Sequence, residues 1–96
     1  MIFNETQRLK QKSGLVWREV DDGVVIVSPA GGEVRALNNL GSMIWTRLDG
    51  SNTAEEIIAE LQSRFPTISE HQLQNDYTVF VESLLARDLL VDTESS

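Results

Sequence analysis

The sequence predicts an α+β domain of winged-helix-like type, in which a three-stranded antiparallel β-meander is followed by three α-helices. Two observations lead to this prediction. Between residues 15 and 37, apolar residues alternate with polar ones or run continuously in three short segments, as they do in strands. From residue 40 onward they recur at intervals of three and four, as on the buried face of a helix.

The three strands are separated by turn signals. "VWREV" alternates in polarity, and the Asp-Gly pair after it is a strong hairpin signal because such turns need residues that accept positive φ. The next run, "VVIVS", is almost entirely β-branched and suits a central strand. A second turn at "PAGG" leads to "EVRAL", the expected third strand. Only the second strand is its obvious neighbour, so its other edge is expected to be free.

Each predicted helix has a recognisable start. Glycine in the first turn of the first helix, at Gly41, costs about 1 kcal/mol relative to alanine and indicates close packing against another element. Gly50 and Pro66 stand where the first and second helices should end. The capping residues are Asn38 or Asn39 for the first helix, Thr53 with Glu56 for the second, and Ser69 with Gln72 for the third.

These elements divide the chain into three parts. Residues 1–14 are polar and are expected to form a flexible N-terminal arm. Residues 15–92 form the folded domain, in which "LLVD" near the end adds a short terminal strand. Residues 93–96 are a C-terminal tail. The chain has no signal-peptide pattern and no apolar stretch of membrane-spanning length, which predicts a cytoplasmic protein without a membrane partner.

The charge distribution argues against nucleic acid as a partner. The net charge is -7, and the acidic residues are concentrated in the second half of the chain. The third helix would read DNA in a winged-helix regulator. Up to residue 88 it holds one Arg and no Lys, and its acidic residues outnumber this one basic residue. Phosphate contacts need basic groups. A winged-helix DNA-binding regulator is therefore kept only as the alternative function.

The sequence offers little equipment for catalysis. It has no cysteine, and its single histidine, His71, lies near a helix start, where a polar surface residue is the simplest interpretation. A cluster of glutamates around residues 55–60 has no histidine to complete a metal site. The serines have no evident base and orienting partner. We therefore expect a binding module that is not an enzyme, with no catalytic residue, no metal and no cofactor.

From Val16 to Leu90 the sequence resembles the PqqD family, small proteins related to the one that assists coenzyme PQQ synthesis. The most specific segment is "LNNLGSMIWTRLDGSNTAEEIIAELQSRF", and "LQNDYTVFVESLLARDLL" resembles the family's last helix. The order and spacing of these motifs cover about four-fifths of the chain. Asp88 departs from the pattern, since the family often has Gly there, and Tyr77 is bulkier than the usual aliphatic residue.

The resemblance implies a recognition element for ribosomally synthesised, post-translationally modified peptides, as in lasso peptide or PQQ-type pathways. Such a domain binds the leader segment of a precursor peptide by β-strand addition and presents it to a maturation enzyme, such as a leader peptidase, a cyclase or a radical SAM enzyme. The peptide-binding residues that it implies are Glu33, Val34, Arg35, Ala36 and Leu37 of the third strand, with Asp76, Tyr77, Phe80 and Leu84 of the third helix.

The residues themselves leave the roles of the helix positions open. Tyr77, Phe80 and Leu84 also fit a simple core stripe, since their spacing is that of a buried helix face. Asp76 falls inside the same register. It is either a solvated residue beside the stripe or a polar anchor at the rim of a groove.

Overall fold

The computed structural model describes residues 6–21, 23–27 and 34–93. The turn predicted at residues 29–32, the candidate site residue Glu33 and the end of the tail lie outside these ranges. In chain order the elements are β1 (Arg8–Gln11), β2 (Val16–Val20), β3 (Gly23–Val27), β4 (Val34–Leu37), α1 (Asn39–Arg47), β5 (Asp49–Thr53), α2 (Ala54–Arg64), α3 (Glu70–Ala86) and β6 (Leu90–Asp92).

The predicted meander is present as one antiparallel sheet with the order β2-β3-β4. The pairing of β2 with β3 places Val20 opposite Gly23, and the pairing of β3 with β4 places Val24 opposite Leu37. Gly23 has a φ of +144°, a conformation that glycine accepts readily. The sheet buries Val24, Ile26 and Leu37 against the helices and leaves valines exposed on its outer face. The α+β fold class is confirmed.

A second sheet, with the order β5-β1-β6, was not predicted as such. Its middle strand, β1, lies within the segment expected to be a flexible arm, so that expectation is wrong for Arg8–Gln11. Leu9 has 0% of its surface exposed, and the strand pairs with β5 on one side and β6 on the other. The short terminal strand predicted at "LLVD" is confirmed as β6.

The three helices start at the predicted caps. The Asn38 side chain accepts a hydrogen bond from the Gly41 N–H at 2.8 Å, and the Ser69 hydroxyl accepts one from Gln72 N–H at 3.1 Å. Thr53 and Glu56 form a complete capping box, and these hydrogen bonds hold the pKa of the Glu56 carboxyl below its usual value.

The helix ends agree less closely with the sequence patterns. α2 ends before Pro66, as predicted, with Phe65 as its C-cap. α1 ends at Arg47 with Leu48 as its C-cap, so Gly50 does not cap it. Gly50 has a positive φ of +89°, but within β5. The pairing of β5 with β1 explains the difference, because it draws the chain into a strand directly after the helix.

One buried cluster joins the two sheets and the three helices. At its centre Trp45 of α1, which has no exposed surface, meets the half-buried Trp17 of β2 edge-on with ring centroids 6.2 Å apart. Leu9 and Leu90 from the second sheet join the same cluster. The meander and the second sheet therefore share one core with the helices.

Gly23→Ala tests the contact between the hairpin and the β4–α1 junction. A Cβ atom at this position would overlap with the carbonyl oxygen of Leu37 and lie 2.7 Å from Ser42 Oγ. Backbone strain and overpacking together are expected to lower the free energy of unfolding by about 2–4 kcal/mol in urea denaturation. Gly14→Ala is the matched control, because Gly14 also has positive φ but open space around it. Equal losses in the two variants would contradict the close contact.

Leu9→Ala tests whether β1 belongs to the folded unit. Truncating a fully buried leucine is expected to cost about 2–5 kcal/mol of stability in the same denaturation experiment. Lys10→Ala, at the exposed neighbouring position, should stay within about 0.5 kcal/mol of the wild type. A flexible arm would leave both variants as stable as the parent protein.

Candidate peptide-binding site

Strand β4 lies at the edge of the meander sheet. Its four residues pair with β3 in an antiparallel register from Val34 opposite Val27 to Leu37 opposite Val24. Among the residues that the structure describes, no strand pairs with the other side of β4. An unpaired edge exposes backbone N–H and C=O groups that can pair with an added chain.

The geometry around Leu37 shows which groups of β4 face this open edge. The Leu37 carbonyl oxygen points toward Gly23 at the start of β3, because a Cβ at Gly23 would overlap with it. Leu37 therefore forms a hydrogen-bonded pair with β3. Hydrogen-bonded and non-hydrogen-bonded pairs alternate along antiparallel strands, so the backbone groups of Ala36 and Val34 point away from β3.

A groove of about 570 Å³ opens just beyond the end of β4, between α1 and α3. Its floor and walls are mainly apolar, with a few polar side chains among them. On the α1 side it is lined by the capping residue Asn38 and by Leu40, Gly41 and Ile44. On the α3 side it is lined by Asn75, Asp76, Val79, Phe80 and Ser83.

Local sequence chemistry explains how the groove is shaped. Asn38 directly follows the last residue of β4 and caps α1, so the helix begins immediately after the strand ends. A Cβ at Gly41 would lie 3.1 Å from Cε1 of Phe80, which confirms the close packing predicted for this glycine. The missing side chain lets the Phe80 ring approach the α1 backbone and form one wall.

The structure separates the predicted helix positions into two groups. Asp76 and Phe80 are half-buried and line the groove. Tyr77 and Leu84 have 2% and 0% of their surfaces exposed and belong to the core. They face away from the groove and support its wall from behind.

The predicted strand positions also differ in exposure. Ala36 is exposed, whereas Leu37 is buried against the helices. Val34 and Arg35 pair with Val27 and Ile26 of β3. The open edge therefore offers its backbone, and the groove offers side-chain contacts.

Burial also fixes the chemical state of Tyr77. Desolvation raises the pKa of its hydroxyl to about 12, because the phenolate would lose its hydration. The side chain is neutral at any physiological pH. Its contribution is that of a packed aromatic ring in the helix core.

Several groove residues were missed by sequence reasoning. Val79 and Ser83 flank Phe80 on the helix surface, and Val79 is an exposed apolar residue. On the opposite wall, Leu40 and Ile44 have the spacing of a buried helix face, which by itself does not indicate a groove. The available signal was Gly41, whose position predicts close approach of a second element and so a boundary between the two helices.

The electrostatics of α3 disfavour a DNA-reading role. Between residues 70 and 86 the helix carries Glu70, Asp76 and Glu82 and no Lys or Arg. Phosphate binding needs the opposite sign of charge. The described part of the chain also holds no group of three His, Cys, Asp or Glu residues that could bind a metal ion, and none of its helices is long and apolar enough to cross a bilayer.

Comparison with known proteins identifies the family. The family described as Coenzyme PQQ synthesis protein D (PqqD) matches residues 23–90, which is more than half of the chain. The chain belongs to the PqqD family. The match runs from the start of β3 to the start of β6, so it includes both the β4 edge and the groove. No curated protein matches the sequence.

Two solved structures are similar to this PqqD-family chain. TbiB1 in complex with the TbiA(beta) leader peptide has a TM-score of 0.77 and 26% sequence identity, and the match covers 84% of this chain and 93% of TbiB1. The PqqD truncation of Methylobacterium extorquens PqqCD, described as a functional and stand-alone RiPP recognition element, has a TM-score of 0.76. At 16% identity, with 94% of this chain and 95% of that chain covered, this second likeness shows the shared fold.

Proposed function

We propose that this protein binds the leader segment of a ribosomally synthesised precursor peptide and presents it to a maturation enzyme. The leader adds as a strand to the open edge of β4, with side chains entering the groove between α1 and α3. The observation that carries the proposal is the unpaired β4 edge directly beside an apolar groove. Membership of the PqqD family supports it, as does the similarity to a structure solved with a leader peptide.

The energetics of strand addition explain why both features are needed. Ordering a flexible leader costs about 1–2 kcal/mol of backbone entropy per residue. Each new backbone hydrogen bond returns only about 0.5–1.5 kcal/mol, so strand pairing alone roughly breaks even. Buried apolar anchors, at about 1.5–3 kcal/mol each, supply the affinity. The edge therefore sets the register of the leader, and the groove selects its sequence.

The proposed contact surface is a subset of the residues that the resemblance implies. The backbone of β4 pairs with the leader, chiefly through Val34 and Ala36. Phe80 and Asp76 contact its side chains within the groove. Tyr77 and Leu84 act indirectly, because their burial holds α3 in position.

In this proposal the protein is a non-catalytic adaptor that works in the cytoplasm, where ribosomes release the precursor. Its second partner is an enzyme that modifies or cleaves the precursor, such as a leader peptidase, a cyclase or a radical SAM enzyme. The adaptor raises the local concentration of the precursor at that enzyme, as a linked pair of binding events does.

Titration of the ¹⁵N-labelled protein with the leader of a precursor encoded beside its gene tests the proposal. Amide shifts are expected to saturate and to concentrate on residues 34–37 and on the α3 residues that line the groove. The amides of α2, which contributes no lining residue, serve as the internal control. Absence of saturable shifts would refute leader binding, and shifts centred on other elements would refute this site.

Ala36→Pro tests strand addition directly. Because the Ala36 amide points away from β3, proline removes no hydrogen bond within the sheet, and edge strands tolerate it. Leader affinity is expected to fall at least about tenfold, since one ladder hydrogen bond is lost and the proline ring obstructs pairing. Val34→Pro should act in the same way.

Ala36→Thr is the matched control, because it keeps the amide and suits a strand. Binding is measured by calorimetry after denaturation has shown that each variant folds. A folded Ala36→Pro protein with unchanged leader affinity would rule out pairing at this edge.

A further inference from the structure

The groove contains a single ionisable side chain among the residues that line it. Asp76 is half-buried at the α3 side, and the other lining residues are apolar, glycine or uncharged amides and hydroxyls. The Gln72 amide donates a hydrogen bond to Asp76 Oδ1 at 2.8 Å, one helical turn away. This contact orients the carboxylate but leaves its charge in place, because the amide is neutral.

Among the side chains that the structure describes, no Lys, Arg or His forms an ion pair with the Asp76 carboxylate. Lys12 pairs with Asp88 and Arg47 pairs with Glu60, so these two cations already have carboxylate partners. The helix that carries Asp76 contains two further acids and no Lys or Arg. A carboxylate beside apolar walls is screened less than one in open water, so its effect on an incoming peptide is correspondingly larger.

We propose that Asp76 makes the groove selective for a cationic leader segment, in which a large apolar anchor lies two positions from a Lys or Arg. This inference rests on the proposed function and adds the charge class of the peptide. The anchor packs on Phe80, and the basic side chain pairs with the Asp76 carboxylate. A leader with an acidic residue at that position is rejected, because two carboxylates would then share a partly dry site.

The two-residue spacing between the apolar anchor and the basic residue follows from the rise per residue of a helix and of a strand. Asp76 and Phe80 are four residues apart on a helix, which corresponds to a rise of about 6 Å. Residues two apart on a strand lie on the same face, separated by about 6.6 Å. A strand that runs along α3 therefore brings one side chain over Phe80 and the next on that face to Asp76.

The charge of the whole chain acts in the same direction. A net charge of -7 attracts basic peptides over several ångströms and repels acidic ones, which changes the rate of encounter. That long-range attraction does not depend on which position of the peptide holds the basic residue. A preference for one position within the peptide is the signature of Asp76 itself.

A synthetic array of 12-residue peptides tests the proposal. Each peptide carries one central Leu or Phe anchor, with Lys, Gln or Glu placed one or two positions away on either side. The 96-residue protein is labelled and applied as wild type, Asp76→Asn and Glu82→Gln. Glu82→Gln is the matched control, because it removes the same charge from an exposed position on α3 that does not line the groove.

The wild type and Glu82→Gln are expected to bind peptides with Lys two positions from the anchor about fivefold or more tightly than those with Gln, and to bind those with Glu more weakly still. Asp76→Asn should bind the Lys, Gln and Glu peptides with similar affinity. The preference should also shrink between 50 and 500 mM salt.

The outcomes separate this inference from the proposed function. If the wild type binds anchor-containing peptides without regard to charge, or if Asp76→Asn keeps the preference, the role of Asp76 is refuted and leader binding stands. A preference of equal size at all positions assigns the selectivity to net charge and also refutes it. If no peptide binds the folded wild type, both proposals fail.

Discussion

The close approach of Gly23 to the carbonyl of Leu37 is the constraint on which the open edge of β4 depends. The Ser42 hydroxyl donates to the same carbonyl oxygen at 3.3 Å, so β3, β4 and α1 meet at one atom. This contact fixes the orientation of the Leu37 peptide group. Alternation along the strand then fixes which amides of β4 are left open. The chemistry of the edge is thus set at the junction between the strand and the first helix.

The helices divide their faces between the core and the groove. On α3, Tyr77 and Leu84 are buried, while Phe80 and Asp76 lie at the boundary with solvent. Gly41 on α1 allows the Phe80 ring to approach. A wall built in this way is held rigid from behind, so a peptide that enters the groove meets a surface that is already ordered. Preorganisation of this kind reduces the entropic cost of binding.

Local signals in the sequence were sufficient for the meander, the three helices and their caps. The Asp-Gly hairpin and the Thr53–Glu56 capping box depend on residues close together in the chain. The second sheet was missed because its strands carry few apolar residues: "RLKQ" buries only Leu9 fully, and "DGSNT" is polar throughout. Their pairing joins segments more than 35 residues apart, which no local pattern reveals.

Local sequence patterns also predicted only part of the candidate site. The open edge at β4 could be predicted because only one neighbour was available to that strand. The inward and outward faces of α3 could not be separated, since the apolar stripe is wide enough to include both Tyr77 and Phe80. Only the packing of α1 against α3 decides which ring enters the core and which borders the groove.

The pairing of β1 with β6 has a consequence for how the domain can be attached to other proteins. The backbone N–H and the hydroxyl of Thr93 both donate to the carbonyl of Arg8, so the chain enters and leaves the second sheet at one point. The β4 edge belongs to the other sheet. A protein fused ahead of β1 and one fused after β6 would therefore both be joined to the domain beside the second sheet, whichever end carries the fusion.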